Sequence, residues 1–146
     1  MRKVFLLCVC LGLSLSCAVA ASTSESGSAE RVAHVERFVA AFNAQDSAAM
    51  GVLVTDDVQW LSVSDSAEIS VEVAGRSELV AAMDGYFAAC ASCRSELLDA
   101  QAYGSRVSVI EQASWRVNDE ERSQSSIAVY EFAGDLIARV YYFPAE

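Results

Sequence analysis

Residues 31–62 read RVAHVERFVAAFNAQDSAAMGVLVTDDVQWLS, and this stretch decides the fold. Apolar side chains recur in its first part at spacings of three and four, which is typical of one face of an amphipathic helix. They are Val32, Val35, Phe38, Val39 and Phe42. Asp46 is then placed to cap a short second helix over residues 47–53. A strand over residues 58–63, which contains Trp60, follows this helix.

The rest of the chain predicts one further helix and five further strands. Alternation predicts a strand over residues 68–73, and an apolar stripe predicts a helix over residues 78–89. Four strands follow, separated by turn sequences that contain Gly, Asn and Asp. They cover residues 97–103, 106–117, 123–132 and 136–143. The order α-α-β-β-α-β-β-β-β predicts an α+β domain in which helices cover one face of a curved antiparallel sheet.

The first twenty residues have the layout of a secretory signal peptide. Two basic residues precede an apolar run, and small residues precede Ala21. The run is shorter than the roughly 20 residues that a membrane span needs. We therefore expect residues 1–20 to be removed, with no membrane span left, and the protein to be exported to the periplasm or the exterior. A lipid anchor at Cys17 is the alternative, since the residues before it resemble a lipobox.

The exported chain is expected to be acidic. Residues 21–29 are rich in serine and are predicted to be a disordered linker to a single domain over residues 30–146. Without the first twenty residues, eight arginines and no lysine face twenty carboxylates, a net charge near −12. Nucleic acids and anionic membranes need basic patches on their partners. The composition therefore excludes both as expected partners.

Two cysteines lie outside the predicted signal peptide. Cys90 and Cys93 form the sequence CASC, and in an oxidising compartment a close pair most simply forms a local disulfide. Unpaired buried thiols and redox or metal chemistry are the alternatives. Zinc would need more ligands than these cysteines and the only histidine, His34, readily supply. We expect no metal and no cofactor.

Several motifs together resemble the nuclear transport factor 2-like superfamily, and within it the SnoaL-like and ketosteroid-isomerase-like branch. They are the sequence FVAAFNAQD over residues 38–46, Asp56-Asp57-Val58 with Trp60, Gly75-Arg76 before the third helix, Tyr130-x-Phe132 and Ile137-x-Arg139. The likeness covers residues 30–144. It implies a cone-shaped fold that encloses a pocket between the concave sheet and the helices, and often a homodimer through the sheet. The superfamily contains isomerases, cyclases, hydrolases and binding proteins, so the fold alone fixes no activity.

Strand alternation makes Glu111 and Arg139 the lone charges on otherwise apolar faces. If these faces are concave, as the resemblance implies, both side chains enter an aromatic cavity and are expected to form an ion pair. The predicted lining of this ligand pocket is Phe38, Trp60, Ser62, Trp115, Tyr130 and Tyr141. One interpretation is a pair that only satisfies itself beneath a filled core. In the other, Arg139 holds a ligand carboxylate or enolate and Glu111 is a catalytic acid or base.

The groups that ketosteroid isomerases use are missing. The family's oxyanion-hole tyrosine falls at Phe38, its catalytic aspartate at Ser62 and its second aspartate at Ala128, so that mechanism is not expected. Whether the chain is an enzyme at all is left open. The sequence favours a domain whose cavity binds a small apolar or anionic molecule. The alternative is a SnoaL-like enzyme that performs proton transfer with Glu111 and Arg139.

The opposite face of the last strands is also apolar. By alternation it carries Ile110, Ile127, Val129, Ala138, Val140 and Tyr142. A sheet that is apolar on both faces needs cover on both sides. A second copy of the domain would supply that cover, so the sequence predicts a homodimer through the sheet.

Overall fold

A computed structural model describes residues 18–145, with side chains from residue 26 onward. Within these residues the elements are α1 (Ala18–Asn43), α2 (Ser47–Gly51), β1 (Val54–Val63), β2 (Ile69–Ala74), α3 (Arg76–Ala89), β3 (Arg94–Tyr103), β4 (Arg106–Val117), β5 (Glu120–Ala133) and β6 (Leu136–Tyr142). This order confirms the predicted α+β fold class. The first seventeen residues, and with them Cys17 and most of the predicted signal peptide, lie outside the described residues.

Helix α1 begins earlier than the sequence pattern suggests. Residues 21–29, which we expected to form a disordered linker, continue the helix from Ala18. The Arg31 guanidinium donates to the Gly27 carbonyl oxygen at 3.4 Å within this part. The stretch contains no proline, and extending an existing helix adds one hydrogen bond for each residue fixed. A serine-rich composition is therefore compatible with helix next to a strong amphipathic segment.

The six strands form one sheet in the order β2-β1-β6-β5-β4-β3. Neighbouring strands are antiparallel except β1 and β6, the first and last strands of the described chain, which pair in parallel. Helix α1 packs on β3 and β4, and α3 packs on β1 and β2. The largest fully buried side chains of this core are Phe38, Met50, Leu79, Tyr130 and Ile137.

The two ends of the short loop after α1 are fixed by side chains. Asp46 caps α2, as predicted, and accepts a hydrogen bond from the Ala49 backbone N–H at 2.8 Å. The amide of Asn43 binds the backbone of Ser95 twice, donating to its carbonyl at 2.7 Å and accepting from its N–H at 2.8 Å. The end of α1 is thus hydrogen-bonded to the first residues of β3.

Strand β6 contains a β-bulge at Ala138. Phe132 pairs with Ile137, whereas Glu131 pairs with Arg139, so Ala138 is an extra residue without a partner in β5. Side chains alternate between the two faces with a period of two. One extra residue therefore reverses the facing of every residue that follows it.

The bulge corrects several predictions for β6. Val140 is fully buried and Tyr142 reaches the cavity, so these two residues are on the concave face, not on the outer one. Arg139 and Tyr141 consequently face outward, and the prediction that they point into the cavity is wrong. Alternation counted straight through from Ile137 fails because nothing in the sequence marks Ala138 as an insertion.

Arg139 pairs with Glu131 and not with Glu111. Its Nη1 lies 2.9 Å from Oε1 of Glu131, and its Nε donates to the Gln59 side chain at 3.3 Å. Arg106 binds the other oxygen of Glu131 at 3.0 Å. Both arginine side chains are largely exposed, so each ion pair contributes about 0–1 kcal/mol to stability.

The turn between α3 and β3 carries a covalent link. Cys90 and Cys93 are joined by a disulfide with their Cα atoms 5.4 Å apart, as the sequence predicts. The Tyr86 hydroxyl donates to Sγ of Cys93 at 3.3 Å. Elsewhere, none of the helices among residues 18–145 combines the length and the hydropathy that a membrane crossing requires.

Deleting Ala138 tests the bulge. Without the extra residue, Arg139 follows Ile137 directly, and regular alternation keeps Arg139 on the outer face. Val140 and Tyr142 likewise stay on the concave face, so we expect the free energy of unfolding to change by less than about 1 kcal/mol. Urea unfolding followed by circular dichroism measures this. The control deletes Ala128 from β5, where the pairing with β4 is uninterrupted; that deletion reverses the facing of part of the strand and should lower the free energy of unfolding by at least about 3 kcal/mol. Equal losses from the two deletions would contradict the bulge.

Candidate functional site

A cavity of about 250 Å³ lies between the helices and the concave face of the sheet. Helices α1 and α3 and strands β1, β3, β4, β5 and β6 all contribute to its walls. The lining residues are Phe38, Val39, Phe42, Trp60, Met83, Tyr86, Ser95, Glu111, Ala113, Tyr130 and Tyr142. Six of these are aromatic, and one, Glu111, is charged. The cavity is therefore an aromatic pocket with a single carboxylate.

The carboxylate of Glu111 is bound by three hydroxyl groups. The Ser95 hydroxyl donates to Oε1. The Tyr130 and Tyr142 hydroxyls both donate to Oε2, at 3.2 Å and 2.6 Å. Glu111 is 8 % exposed, and three donors around one carboxyl group are the partners that an ionised carboxylate takes. The protein solvates this buried charge with hydroxyls in place of a basic side chain.

Each donor reaches Glu111 from a different strand. Glu111 lies in the middle of β4, where alternation is unbroken, and Ser95 lies on β3 with its backbone held by Asn43. Tyr130 on β5 and Tyr142 on β6 flank Ala128, which pairs with Tyr142 and is fully buried. The long tyrosine side chains extend past this small residue toward β4. The site thus depends on the pairing of four strands.

The phenol groups in the pocket hold their protons strongly. Burial, and next the negative charge of Glu111, raise the pKa of Tyr130 well above 10.0. Burial, followed by Tyr130 and Glu111, does the same to the pKa of Tyr142. The pKa of Tyr86 at the pocket wall is also raised, by burial and then by Glu111. Both inner tyrosines therefore remain neutral hydrogen-bond donors to the carboxylate.

The aromatic walls are packed against one another. The rings of Trp60 and Tyr142 stack with centroids 5.1 Å apart, and Phe38 contacts Trp60 at 6.2 Å and Tyr130 at 6.0 Å. Phe42 and Tyr86 lie 5.8 Å apart on the helical side. Such pairs hold the rings in defined orientations. The pocket is consequently shaped before any ligand enters.

The structure brings together some of the predicted pocket residues and not others. Phe38, Trp60 and Tyr130 line the cavity beside Glu111. Ser62, Trp115, Tyr141 and Arg139 are not among the lining residues. The Ser62 hydroxyl instead donates to Glu72 at 2.5 Å near the sheet edge. Trp115 shares the face of Glu111 on β4 but lies nearer the strand end.

Several lining residues were not predicted. Tyr142 was assigned to the outer face because of the unmarked bulge. Ser95 lies before the start that the pattern gave for its strand, so no alternation pointed to it. Phe42 and Met83 carry the helical apolar signal, which cannot separate core from pocket. Only the three-dimensional pairing distinguishes these roles.

A second groove, of about 410 Å³, runs along α1 and the β5–β6 hairpin. Its charged residues are of both signs, and its histidine already has hydrogen-bond partners. Arg31 and Arg37 line it together with Glu30 and Asp135. His34 is buried there, and its Nε2–H donates to a backbone carbonyl at 2.8 Å, that of Leu53. Its Nδ1 accepts from the Arg37 guanidinium at 3.2 Å. This histidine is structural.

Potential metal ligands are not clustered in the described part of the chain. No group of three or more His, Cys, Asp or Glu side chains among those residues is arranged to hold a metal ion. Glu111 is the single carboxylate of the cavity, and its three observed partners are hydroxyl donors. The pocket is built to solvate one carboxylate.

The order of elements and the enclosed pocket define a cone-shaped α+β domain, and the sequence places it in a family. The profile of the SnoaL-like domain matches residues 35–140, most of the chain, so the protein belongs to the SnoaL-like domain family. This confirms the resemblance drawn from the motifs. A search of curated proteins gave no match.

Solved structures with the same fold are numerous. An uncharacterized cystatin-fold protein from Novosphingobium aromaticivorans is 24% identical, with a TM-score of 0.68 over 78% of this chain and 97% of its own. A putative SnoaL-like polyketide cyclase from Jannaschia sp. CCS1 is 12% identical, with a TM-score of 0.64 over 82% and 87%. A hypothetical protein with a ketosteroid-isomerase-like fold from Catenulispora acidiphila, in complex with trimethylamine, is 14% identical, with a TM-score of 0.60 over 76% of this chain and 84% of its own. These likenesses show the fold.

The raised pKa values of Tyr130 and Tyr142 predict how stability depends on pH. Above about pH 10 the unfolded chain releases these two protons, while the folded protein retains them. The free energy of unfolding therefore falls as pH rises, by up to about 1.4 kcal/mol per pH unit for each group. Tyrosinate absorbance should show two of the five tyrosines ionising only together with unfolding.

The variant Tyr142→Phe is the matched comparison for this titration. It removes one of the two groups, so its stability should fall less steeply with pH than that of the wild type. Ionisation of all phenols before any loss of circular dichroism signal would contradict the burial of these hydroxyls.

Proposed function

We propose that the domain binds a small, mainly apolar molecule in the aromatic cavity, with Glu111 as its polar anchor. The observation that carries this proposal is a cavity of about 250 Å³ with one carboxylate among six aromatic side chains. Ligand sites are typically concave and apolar with a few placed polar groups. The trimethylamine complex of the Catenulispora protein supports small-molecule binding by a protein of this fold.

The negative charge in the cavity limits the class of ligand that it can bind. Arg139, which we expected to hold an anion, faces outward and pairs with Glu131. No basic side chain is found among the described residues that line the cavity. A ligand carboxylate would face Glu111 without compensation, at a large electrostatic cost. The proposed ligand is therefore neutral or cationic, and the anionic alternative is dropped.

Proton transfer is the second candidate function. The family includes proteins described as cyclases, and Glu111 is a buried carboxylate that faces an apolar cavity, the setting of a general base. The hydroxyls of Tyr130 and Tyr142 already donate their single protons to Glu111, so they would orient this base and not stabilise a developing oxyanion. Deuterium incorporation into a bound carbon acid in D₂O, lost in Glu111→Gln, separates catalysis from binding.

Fluorescence of Trp60 tests the proposed binding. The chain has two tryptophans, so the variant Trp115→Phe leaves Trp60 as the single reporter at the cavity wall. We expect saturable quenching by benzyl alcohol, a small neutral aromatic probe. Adding Ala113→Phe fills the cavity and should weaken this binding by at least about tenfold, because the ligand and the new ring compete for the same space.

The control for this experiment is Ala91→Phe, which places the same ring on the exposed turn after α3. It should leave the affinity for benzyl alcohol unchanged. Equal affinity in Ala113→Phe and in the control would show that the probe binds elsewhere, and the proposed function would be abandoned.

We also propose that the protein is a homodimer through the outer face of the sheet. Ile110 and Ile127 are direct cross-strand partners there and are 42 % and 54 % exposed, and Leu98 nearby is 52 % exposed. Apolar clusters of this kind on a soluble domain mark contact surfaces. Export of the chain also stays a proposal. It rests on the first twenty residues and on a disulfide typical of oxidising compartments.

The variant Ile127→Glu tests the dimer. A carboxylate in the centre of the outer face would be buried without a partner on association, so we expect sedimentation velocity to show monomers where the wild type sediments as a dimer at micromolar concentration. Val52→Glu, at an exposed residue beside α2, is the control and should remain dimeric. A monomeric wild type would refute the proposal directly.

A further inference from the structure

The carboxylate of Glu111 has one hydrogen-bonding position left. An ionised carboxylate accepts about four hydrogen bonds, two on each oxygen. Ser95 occupies one position on Oε1, and Tyr130 and Tyr142 occupy both positions on Oε2. The open position is on Oε1, and Glu111 lines the cavity. A ligand can therefore offer this carboxylate one donor.

None of the described residues forms an ion pair with Glu111. All four ion pairs found among the described residues involve other carboxylates, those of Asp56, Glu120 and Glu131. Hydroxyl donors solvate the charge of Glu111 but leave it in place. A cation that enters the cavity would therefore be attracted, because the walls are mainly apolar and weaken the attraction less than bulk water does. The formal net charge of −10 for the whole chain also favours the approach of a cation.

The walls are suited to the apolar part of such a cation. The faces of aromatic rings attract ammonium groups within about 6 Å of their centroids, and tryptophan and tyrosine do so better than phenylalanine. Tyr130 and Tyr142 contact Glu111, and Trp60 stacks on Tyr142 at the same cavity. Phe38 and Phe42 line the cavity from α1. Carbon substituents on the nitrogen would contact these rings without losing any hydrogen bond.

We infer that the pocket recognises a small organic ammonium ion, and in particular a protonated tertiary amine. Such an ion has one N–H for the open position on Oε1 and three carbon substituents for the aromatic walls. A primary ammonium brings two further N–H groups to a cavity whose carboxylate has no further free position, and a quaternary ammonium has no N–H to donate. This inference rests on the proposed function, since it names the chemical class of the ligand for the same cavity.

Four probes of similar size test the inference on the Trp115→Phe protein at neutral pH. They are N,N-dimethylbenzylammonium, benzylammonium, benzyl alcohol and benzoate. We expect the tertiary ammonium to bind at least about tenfold more tightly than benzyl alcohol, with benzylammonium between them and benzoate weakest. This order needs no change at the site and therefore does not depend on how a variant folds.

The variant Glu111→Gln then assigns the preference to the carboxylate. It should reduce the ratio between the affinities for the tertiary ammonium and for benzyl alcohol to within a few-fold, because the neutral amide removes the charge that only the ammonium uses. If benzyl alcohol binds as tightly as both ammonium ions, and Ala113→Phe still blocks it, the ammonium inference is wrong and the proposed function stands. If none of the probes binds, the proposed function fails as well.

Discussion

The carboxylate of Glu111 is buried in an apolar cavity and is held by hydroxyl groups from three other strands. A charge in such a place is costly unless it is fully hydrogen-bonded, and each missing donor costs about 1–3 kcal/mol. Ser95, Tyr130 and Tyr142 can serve it only if β3, β4, β5 and β6 keep their observed register. The requirement to solvate one carboxylate therefore links the geometry of the sheet to the chemistry of the pocket.

The surroundings reinforce this arrangement at the edge of the sheet. Asn43 ends α1 and holds the backbone of Ser95 from both sides, so the helix end fixes the hydroxyl that binds Oε1. The disulfide between Cys90 and Cys93 closes the turn immediately before Ser95, and Tyr86 contacts its sulfur. The cavity wall formed by α3 and the donor on β3 are thus anchored by the same few residues.

Membership of the SnoaL-like family does not by itself fix the chemistry of the pocket. A fold can host unrelated activities because the groups in the site, not the scaffold, decide the reaction. Here the position of the isomerase tyrosine is Phe38, which contributes only an apolar wall, and Ala128 is fully buried beside Tyr142. The outward Arg139 leaves a pocket with one negative charge. That charge, more than family membership, is the basis for proposing a neutral or cationic ligand.

The sequence by itself determined the order of elements, the family and the inward facing of Glu111. These properties follow from the local spacing of apolar residues: the stripe from Val32 to Phe42 forms a helix, and β4 alternates without interruption. The tertiary structure decided which groups meet Glu111. Because Ala138 is an extra residue in β6, Tyr142 and not Arg139 lies in the pocket. No glycine or proline marks this bulge in the sequence. Bulges and cross-strand partners arise from contacts between distant segments, which short-range patterns do not record.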